Sequence, residues 1–240
     1  MSYSFGGGTH NIKGSFTGTF AIPVSILCWV KGTIMGSDAY FYFGKNPSDG
    51  NDSVHVGTGS AATKIEAGAT DSAGVERSAD YTTGAAEYDD VWVPVLGVFT
   101  SSNNRDIYIE VIANTANSGA ARTVAGLLKH LIAGENPSGS QPWTGLLAEL
   151  AVWDKALVSG EITDLLDNAK APVDVANANL IGYWSLDHDD STPDDESGNG
   201  GPTLTVTGAT FDADHPSIVS GGSIVPILSQ DYSRFAGGLS

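Results

Sequence analysis

Apolar and polar side chains alternate with a period of two along most of the chain, and this rhythm predicts short β-strands joined by turns. Ser15–Ile22 sets Phe16, Gly18, Phe20 and Ile22 to one side, and Pro23 suits its end because it has no N–H for a ladder. Val24–Lys31 is denser in apolar residues, as a core strand is. Ala39–Phe43 is an aromatic run of high β propensity. From Gly44 to Gly74 the chain is rich in Gly, Ser, Asp and Asn, with brief strand segments at Ser53–Val56 and Thr63–Ala67. Val91–Phe99 and Asp106–Ala113 flank the turn Thr100–Arg105 and predict a hairpin. Val124–Ile132 fits either period, since Leu127, Leu128 and Leu131 also suit a helical face; its neighbours favour a strand.

Gly145–Asp154 reads as a buried strand, and one helix follows over Ser159–Ala169. Ser159 is positioned to cap it, Glu161 lies in the first turn, and Ile162, Leu165, Leu166 and Ala169 share a face before Pro172 stops it. Leu180–Leu186 and Thr203–Phe211 are two further strands around a long acidic loop. Short strands with one helix and no βαβ alternation predict an all-β, antiparallel β-sandwich or jelly roll. The expected organisation is one sandwich over 1–212 and an extended C-terminal arm over 213–240. The arm carries Ile218, Val219, Ile224, Val225, Ile227, Leu228, Tyr232 and Phe235 with few charges. It must lie against something, either its own sandwich or a neighbouring subunit.

At 41% apolar over 240 residues, the chain can bury a large core without metals or disulfides. A net charge of −17 repels phosphate backbones and anionic headgroups, and the eleven basic residues form no run, so neither nucleic acid nor a membrane is an expected partner. The only cysteine, Cys28, lies in the apolar run Ile26–Val30, where an inert buried thiol is expected. Met1–Gly8 has neither the basic segment nor the apolar stretch of a signal peptide, and no apolar run approaches the ~20 residues that span a bilayer. Synthesis in a cytoplasm is therefore expected, with any release by a route such as lysis.

Acidity gathers in one loop, where Asp187, Asp189, Asp190, Asp194, Asp195 and Glu196 follow closely on one another. Such carboxylates repel unless extended and solvated, or bridged by a cation. Ca2+ suits them because it takes hard oxygens in flexible geometry, which makes Asp187, Asp189, Asp190, Asp194 and Asp195 candidate metal ligands. The spacing is not that of an EF-hand, since Thr192 stands where the sharp turn needs Gly. The histidines, at 10, 55, 130, 188 and 215, have no metal-ligand spacing in sequence. Trp29, Trp92, Trp153 and Trp184 lie inside apolar strands and read as core. Trp143 follows Gly139-Ser140-Gln141-Pro142 at a loop-to-strand junction, which makes it a candidate for stacking on a sugar at an exposed rim. Asn103 and Asn104, in the polar loop Ser101–Asn104, are candidates for bonding sugar hydroxyls, as is the loop Asn46–Asp52.

The ordered set Ser25–Lys31, Trp92, Arg105–Ile109, Trp143–Leu157, Glu161-Ile162, Leu180–Leu186, Leu204–Thr210 and Asp214-His215-Pro216 resembles laminin-G-like domains of the concanavalin A-like lectin/glucanase superfamily, of the kind found in proteins of tailed bacteriophages and prophages. The resemblance reaches from about Tyr3 to Pro216. It implies a concanavalin A-like jelly roll, and Asp195–Gly200 resembles the family's Asp-x-Ser-Gly-Asn-Gly turn. One departure is that Glu110-Val111-Ile112 continues the strand where the family often turns. The fold hosts lectins, glycanases and structural modules alike. The glucanase branch's Glu-x-Asp-x-x-Glu pattern is missing, and Glu149 and Asp154 would point to opposite faces of a regular strand, so no catalytic residue is expected. The resemblance implies a non-catalytic virion surface protein that decorates a capsid or tail. Its partners would be other virion proteins, copies of itself through the arm, and a host-surface glycan. A dedicated carbohydrate-binding lectin or receptor-binding protein is the alternative, and a glycan-cleaving enzyme is a third reading.

Overall fold

The computed structural model describes residues 2–32, 39–59, 64–82, 88–109, 112–117, 123–124, 127–139 and 142–219. In chain order the strands are β1 (Ser2–Gly6), β2 (Asn11–Phe20), β3 (Val24–Gly32), β4 (Ala39–Gly44), β5 (Ser53–Thr58), β6 (Lys64–Thr70), β7 (Glu76–Thr82) and β8 (Val93–Ser101). They continue as β9 (Asn104–Ile109), β10 (Ile112–Asn117), β11 (Leu128–Ala133) and β12 (Thr144–Trp153). After the helix α1 (Ser159–Leu166) come β13 (Leu180–Trp184), β14 (Thr205–Thr207) and β15 (Thr210–Asp212). Two antiparallel sheets result. The first runs β10-β9-β8-β3-β12-β1-β15 with β13 also on β12, and the second runs β14-β2-β11-β4-β5-β6-β7. This is the expected all-β jelly-roll sandwich.

Strand composition follows from which faces are covered. Ile26, Cys28 and Val30 of β3 meet Phe41, Phe43, Val54 and Val56 of the opposite sheet in the main core. The intervening Leu27 joins Leu96 and Trp153 in a second cluster, beneath Ile162 and Leu165 of α1. Both faces of β3 are therefore dry from Ile26 to Val30, which is why that run is apolar. Cys28 is fully buried, and burial pushes its thiol pKa up, so it is inert as expected.

Several boundaries differ from those expected. The helix starts at Ser159, with Val158 in the capping position; Val158 N–H donates to Glu161 at 2.9 Å, so no serine cap forms. It ends at Leu166, and Pro172 opens a short 3₁₀ turn instead of abutting it. Trp92 precedes β8 and is half-buried, not core; its indole N–H donates to Asp214 at 3.0 Å. Asp106–Ala113 is not one strand, because Ile112–Asn117 pairs antiparallel back on β9; the continuation expected at 110–111 lies outside the described residues. β1 and β7 were not legible as strands. Glu76–Thr82 has only Ala79 and Tyr81 at inward positions, too sparse an alternation to stand out.

Thr203–Phe211 also divides, and its halves join different sheets: β14 pairs with β2, and β15 with β1. The crossing occurs at Gly208, where φ is 71° and a Cβ would lie 2.6 Å from the His10 ring. Gly208→Ala is expected to lower unfolding free energy by about 1–3 kcal/mol, measured by urea titration, through the strained backbone and the displaced imidazole.

From β15 to Val219 the chain lies against its own fold. Val219 N–H donates to Ala169 O at 2.7 Å, and Ala171 N–H donates to Val219 O at 3.1 Å. Residues 220–240 of the expected arm lie outside the described residues.

Candidate ligand-binding groove

The outer face of β4–β7 is built from rows set by register. Tyr42, His55, Gly68 and Ser78 form one row across the four strands. Ser53, Thr70 and Glu76 form the next row on one side, and Gly57, Glu66 and Asp80 the next on the other. Residues two apart on a strand share a face, so these side chains emerge together while Val54, Val56, Ile65, Ala67 and Ala79 point into the core. The face opens into a groove of about 470 Å³ lined by Tyr42, His55, Thr70, Glu76, Ser78 and Asp80 among others.

At its centre the His55 imidazole lies where β6 supplies no side chain. A Cβ on Gly68 would come within 2.3 Å of the ring, so glycine makes the berth. His55 Nε2 is 3.5 Å from a Glu66 oxygen and 3.9 Å from a Glu76 oxygen. The side chains of His55 and Glu66 are 14% and 13% exposed, whereas Glu76 is 45% exposed and marks the open side. Burial disfavours protonation of His55, but its bond to Glu66 and the charge of Glu76 outweigh this and raise its pKa. Beside this trio, Lys64 Nζ donates to Asp80 at 2.9 Å and Ser78 Oγ donates to Asp80 at 2.6 Å. Burial raises the Asp80 pKa, and these two bonds overcome it and hold the carboxyl below its usual range. The groove thus presents fixed acceptors with adjacent donors, the complement of a hydroxyl-rich ligand.

The residues singled out from sequence lie elsewhere. Trp143 is fully buried, not at a rim: its ring meets Tyr40 edge-on at 4.7 Å, so it cannot stack on a ligand. Asn103 is exposed in the β8–β9 turn, where it accepts from Ser101 Oγ at 2.9 Å, and Asn104 begins β9. The acidic loop does not converge on a cation. Asp195 accepts from the N–H groups of Tyr183, Ser197 and Gly201 and from Ser197 Oγ, pinning the turn. Asp190 accepts from Thr192 N–H at 2.9 Å, Asp194 from Thr203 Oγ at 2.8 Å, and Asp187 from Ser185 Oγ at 2.9 Å; Asp189 is exposed. Backbone and hydroxyl partners occupy oxygens that a cation would need.

Among the described residues, the group of three metal-capable side chains that does converge is His55, Glu66 and Glu76, with ligand atoms within 4.8 Å of one another. Sequence spacing did not show this group, because its one histidine and two glutamates come from three different strands. Glu149 and Asp154 stay apart as expected, the first buried against Tyr183 and His215, the second exposed and bonded to Asn179.

Two antiparallel sheets, one backed by a helix and the other bearing an open polar face, define a lectin-like sandwich. Residues 7–163 match the family described as Concanavalin A-like lectin/glucanases superfamily, of laminin-G type, and the chain belongs to it. No curated protein sequence matches the chain. Among solved structures, a candidate carbohydrate-binding protein from Bacteroides ovatus aligns over 89% of this chain and 61% of its own, at 15% identity and a TM-score of 0.58. The enzymatically active domain of bacteriophage CBA120 tailspike protein 2 aligns over 73% of this chain and 28% of its own, at 16% identity and a TM-score of 0.55. The CBM40 of a Ruminococcus gnavus IT-sialidase, bound to sialyllactose, aligns over 69% of this chain and 96% of its own, at 13% identity and a TM-score of 0.50. The chain thus spans about three-fifths of the Bacteroides protein and little over a quarter of the tailspike. At these identities the likeness is one of fold.

Proposed function

We propose that this chain is a non-catalytic glycan-binding module on the surface of a phage particle, with its ligand seated in the groove over β5–β7. The observation that carries the glycan reading is the groove itself, where Glu66, Glu76, Ser78 and Asp80 align on one sheet face. The carbohydrate-binding protein and the CBM40 among the structural neighbours support the same ligand class. The tailspike and the family resemblance support the phage setting. Titration of host-surface polysaccharide, preceded by a glycan array, tests the ligand. Asp80→Asn should bind about tenfold more weakly, because it weakens a charged acceptor and releases Lys64. Equal binding by the variant would move the site off this face. Mass spectrometry of purified particles tests the setting, and absence from them would refute it.

A second reading, retaining glycoside hydrolysis, has one observation in its favour. Glu66 and Glu76 are brought together on one sheet face, and retaining enzymes use two neighbouring carboxyl groups. His55 stands between them, within 3.5 and 3.9 Å, where the sugar's reacting carbon would have to lie, and for that reason binding is preferred. Release of reducing ends by the wild type, abolished in Glu66→Gln, would reverse the preference.

A further inference from the structure

We infer that His55, Glu66 and Glu76 form a binding site for one divalent transition ion of the zinc class, held on the face of the sheet rather than in a loop. The ion would be bound through one imidazole nitrogen and two carboxylate oxygens, one from each of three adjacent strands. Zinc takes such donors at about 2.0–2.2 Å, which in a tetrahedral arrangement sets neighbouring ligand atoms roughly 3.3–3.5 Å apart. The separation of His55 Nε2 from Glu66 is already 3.5 Å, and that from Glu76 is 3.9 Å. The half-exposed Glu76 side chain needs only a small rotation to close the remainder.

Charge and surroundings agree with this donor set. A neutral imidazole and two carboxylates balance a divalent ion, so the seated ion leaves no net charge on a partly desolvated site. Without the ion, two carboxylates face each other across one ring, a repulsion that bonding to His55 relieves only in part. The nitrogen donor favours a transition ion over Ca2+, which prefers an all-oxygen shell. Lys64 is the nearby cation, and its ammonium is directed to Asp80, so it does not occupy the place of the ion. Gly68 leaves room for the imidazole to settle, and three protein ligands leave a fourth position open toward the groove. There a water, or a hydroxyl of a groove ligand, would complete the shell. The site does not depend on the glycan reading, because the ion's donors come entirely from the protein.

The test is titration of ZnCl2 into the chelator-treated full chain by isothermal calorimetry, with no glycan present and with Co2+ as a spectroscopic substitute. The expected result is one ion per chain and a visible Co2+ spectrum of four-coordinate intensity. His55→Ala and Glu76→Gln should each weaken binding at least about tenfold, since even groups that only orient ligands contribute that much. Asp189→Asn, in the exposed acidic loop, should bind as the wild type does. Circular dichroism on each variant separates loss of a ligand from loss of the fold, and Glu66→Gln provides a third ligand variant if one of the others fails to fold. Absence of stoichiometric binding would overturn the proposal, and so would binding unaffected by His55→Ala. Loss of binding on Asp189→Asn alone would return the ion to the loop. Glycan binding that persists after the metal result fails leaves the groove reading intact, so the two failures are distinguishable.

Discussion

His215→Ala should lower the free energy of unfolding by about 3–5 kcal/mol, the scale of breaking a buried ion pair while one partner stays behind. That partner is Glu149, 1% exposed, at the β-bulge of β12 between Ala148 and Ala151, where its φ is 54°. One carboxylate oxygen lies 3.0 Å from His215 Nε2, and the other accepts the Tyr183 hydroxyl at 2.7 Å. Burial raises the Glu149 pKa, opposed by His215 and Tyr183. Burial acts against protonation of His215, but the Glu149 carboxylate outweighs it and the imidazole pKa is raised. Both shifts mean that the folded chain holds its protons more tightly than the unfolded chain, so stability falls as pH rises. The contribution of His215 is complete below the ordinary imidazole value of about 6.5 and is lost as pH passes upward through its raised value. Urea titrations at pH about 6 and about 9 should therefore give a larger penalty for His215→Ala at the lower pH. Equal penalties at both would mean that the imidazole acts by packing alone.

The same pair shows where sequence reading stops. Strands such as Val24–Gly32 and Thr144–Trp153 are legible because burial imposes a local pattern, a run of mostly apolar residues where both faces are covered. Glu149 and His215 are joined by a bulge and a returning segment, neither of which leaves a periodic mark. The groove is intermediate. Its rows were written in the chain as alternate polar residues: His55 and Gly57, then Lys64, Glu66, Gly68 and Thr70, then Glu76, Ser78 and Asp80. Reading the outward positions of β5–β7, as carefully as the inward ones, would have found the face. That Glu66 and Glu76 meet at His55 depends on register between strands, which hydrophobic pattern leaves open wherever apolar positions are as sparse as on β7. The acidic loop misled for the opposite reason. Its carboxylates are conspicuous in sequence, yet Asp195 serves to bind three backbone N–H groups and hold a turn.

Trp143→Ala should cost about 3–5 kcal/mol, the range for removing a buried aromatic side chain, and should leave ligand binding by the folded protein unchanged. The indole seals the end of the sandwich between β3, β4 and β12. Its ring meets Tyr40 at 4.7 Å and 79°, and its backbone N–H donates to Gly134 O at 2.8 Å. Two glycines are fitted to it: a Cβ on Gly32 or Gly145 would stand 2.9 or 2.6 Å from the indole carbon Cζ2. A loop-to-strand junction after Pro142 looks exposed in sequence, but these side-chain-free positions on β3 and β12 make a slot that takes the ring inside. Among the described residues the indole N–H has no hydrogen-bond partner, so its burial is a cost that the packing of the ring offsets. Trp143→Phe, which keeps most of the ring and removes that N–H, should consequently cost only about 1 kcal/mol. Denaturant titration of the two variants separates the roles. A large loss for alanine with a small one for phenylalanine marks a packing residue, whereas a folded, fully stable alanine variant that no longer binds glycan would restore Trp143 to the ligand surface.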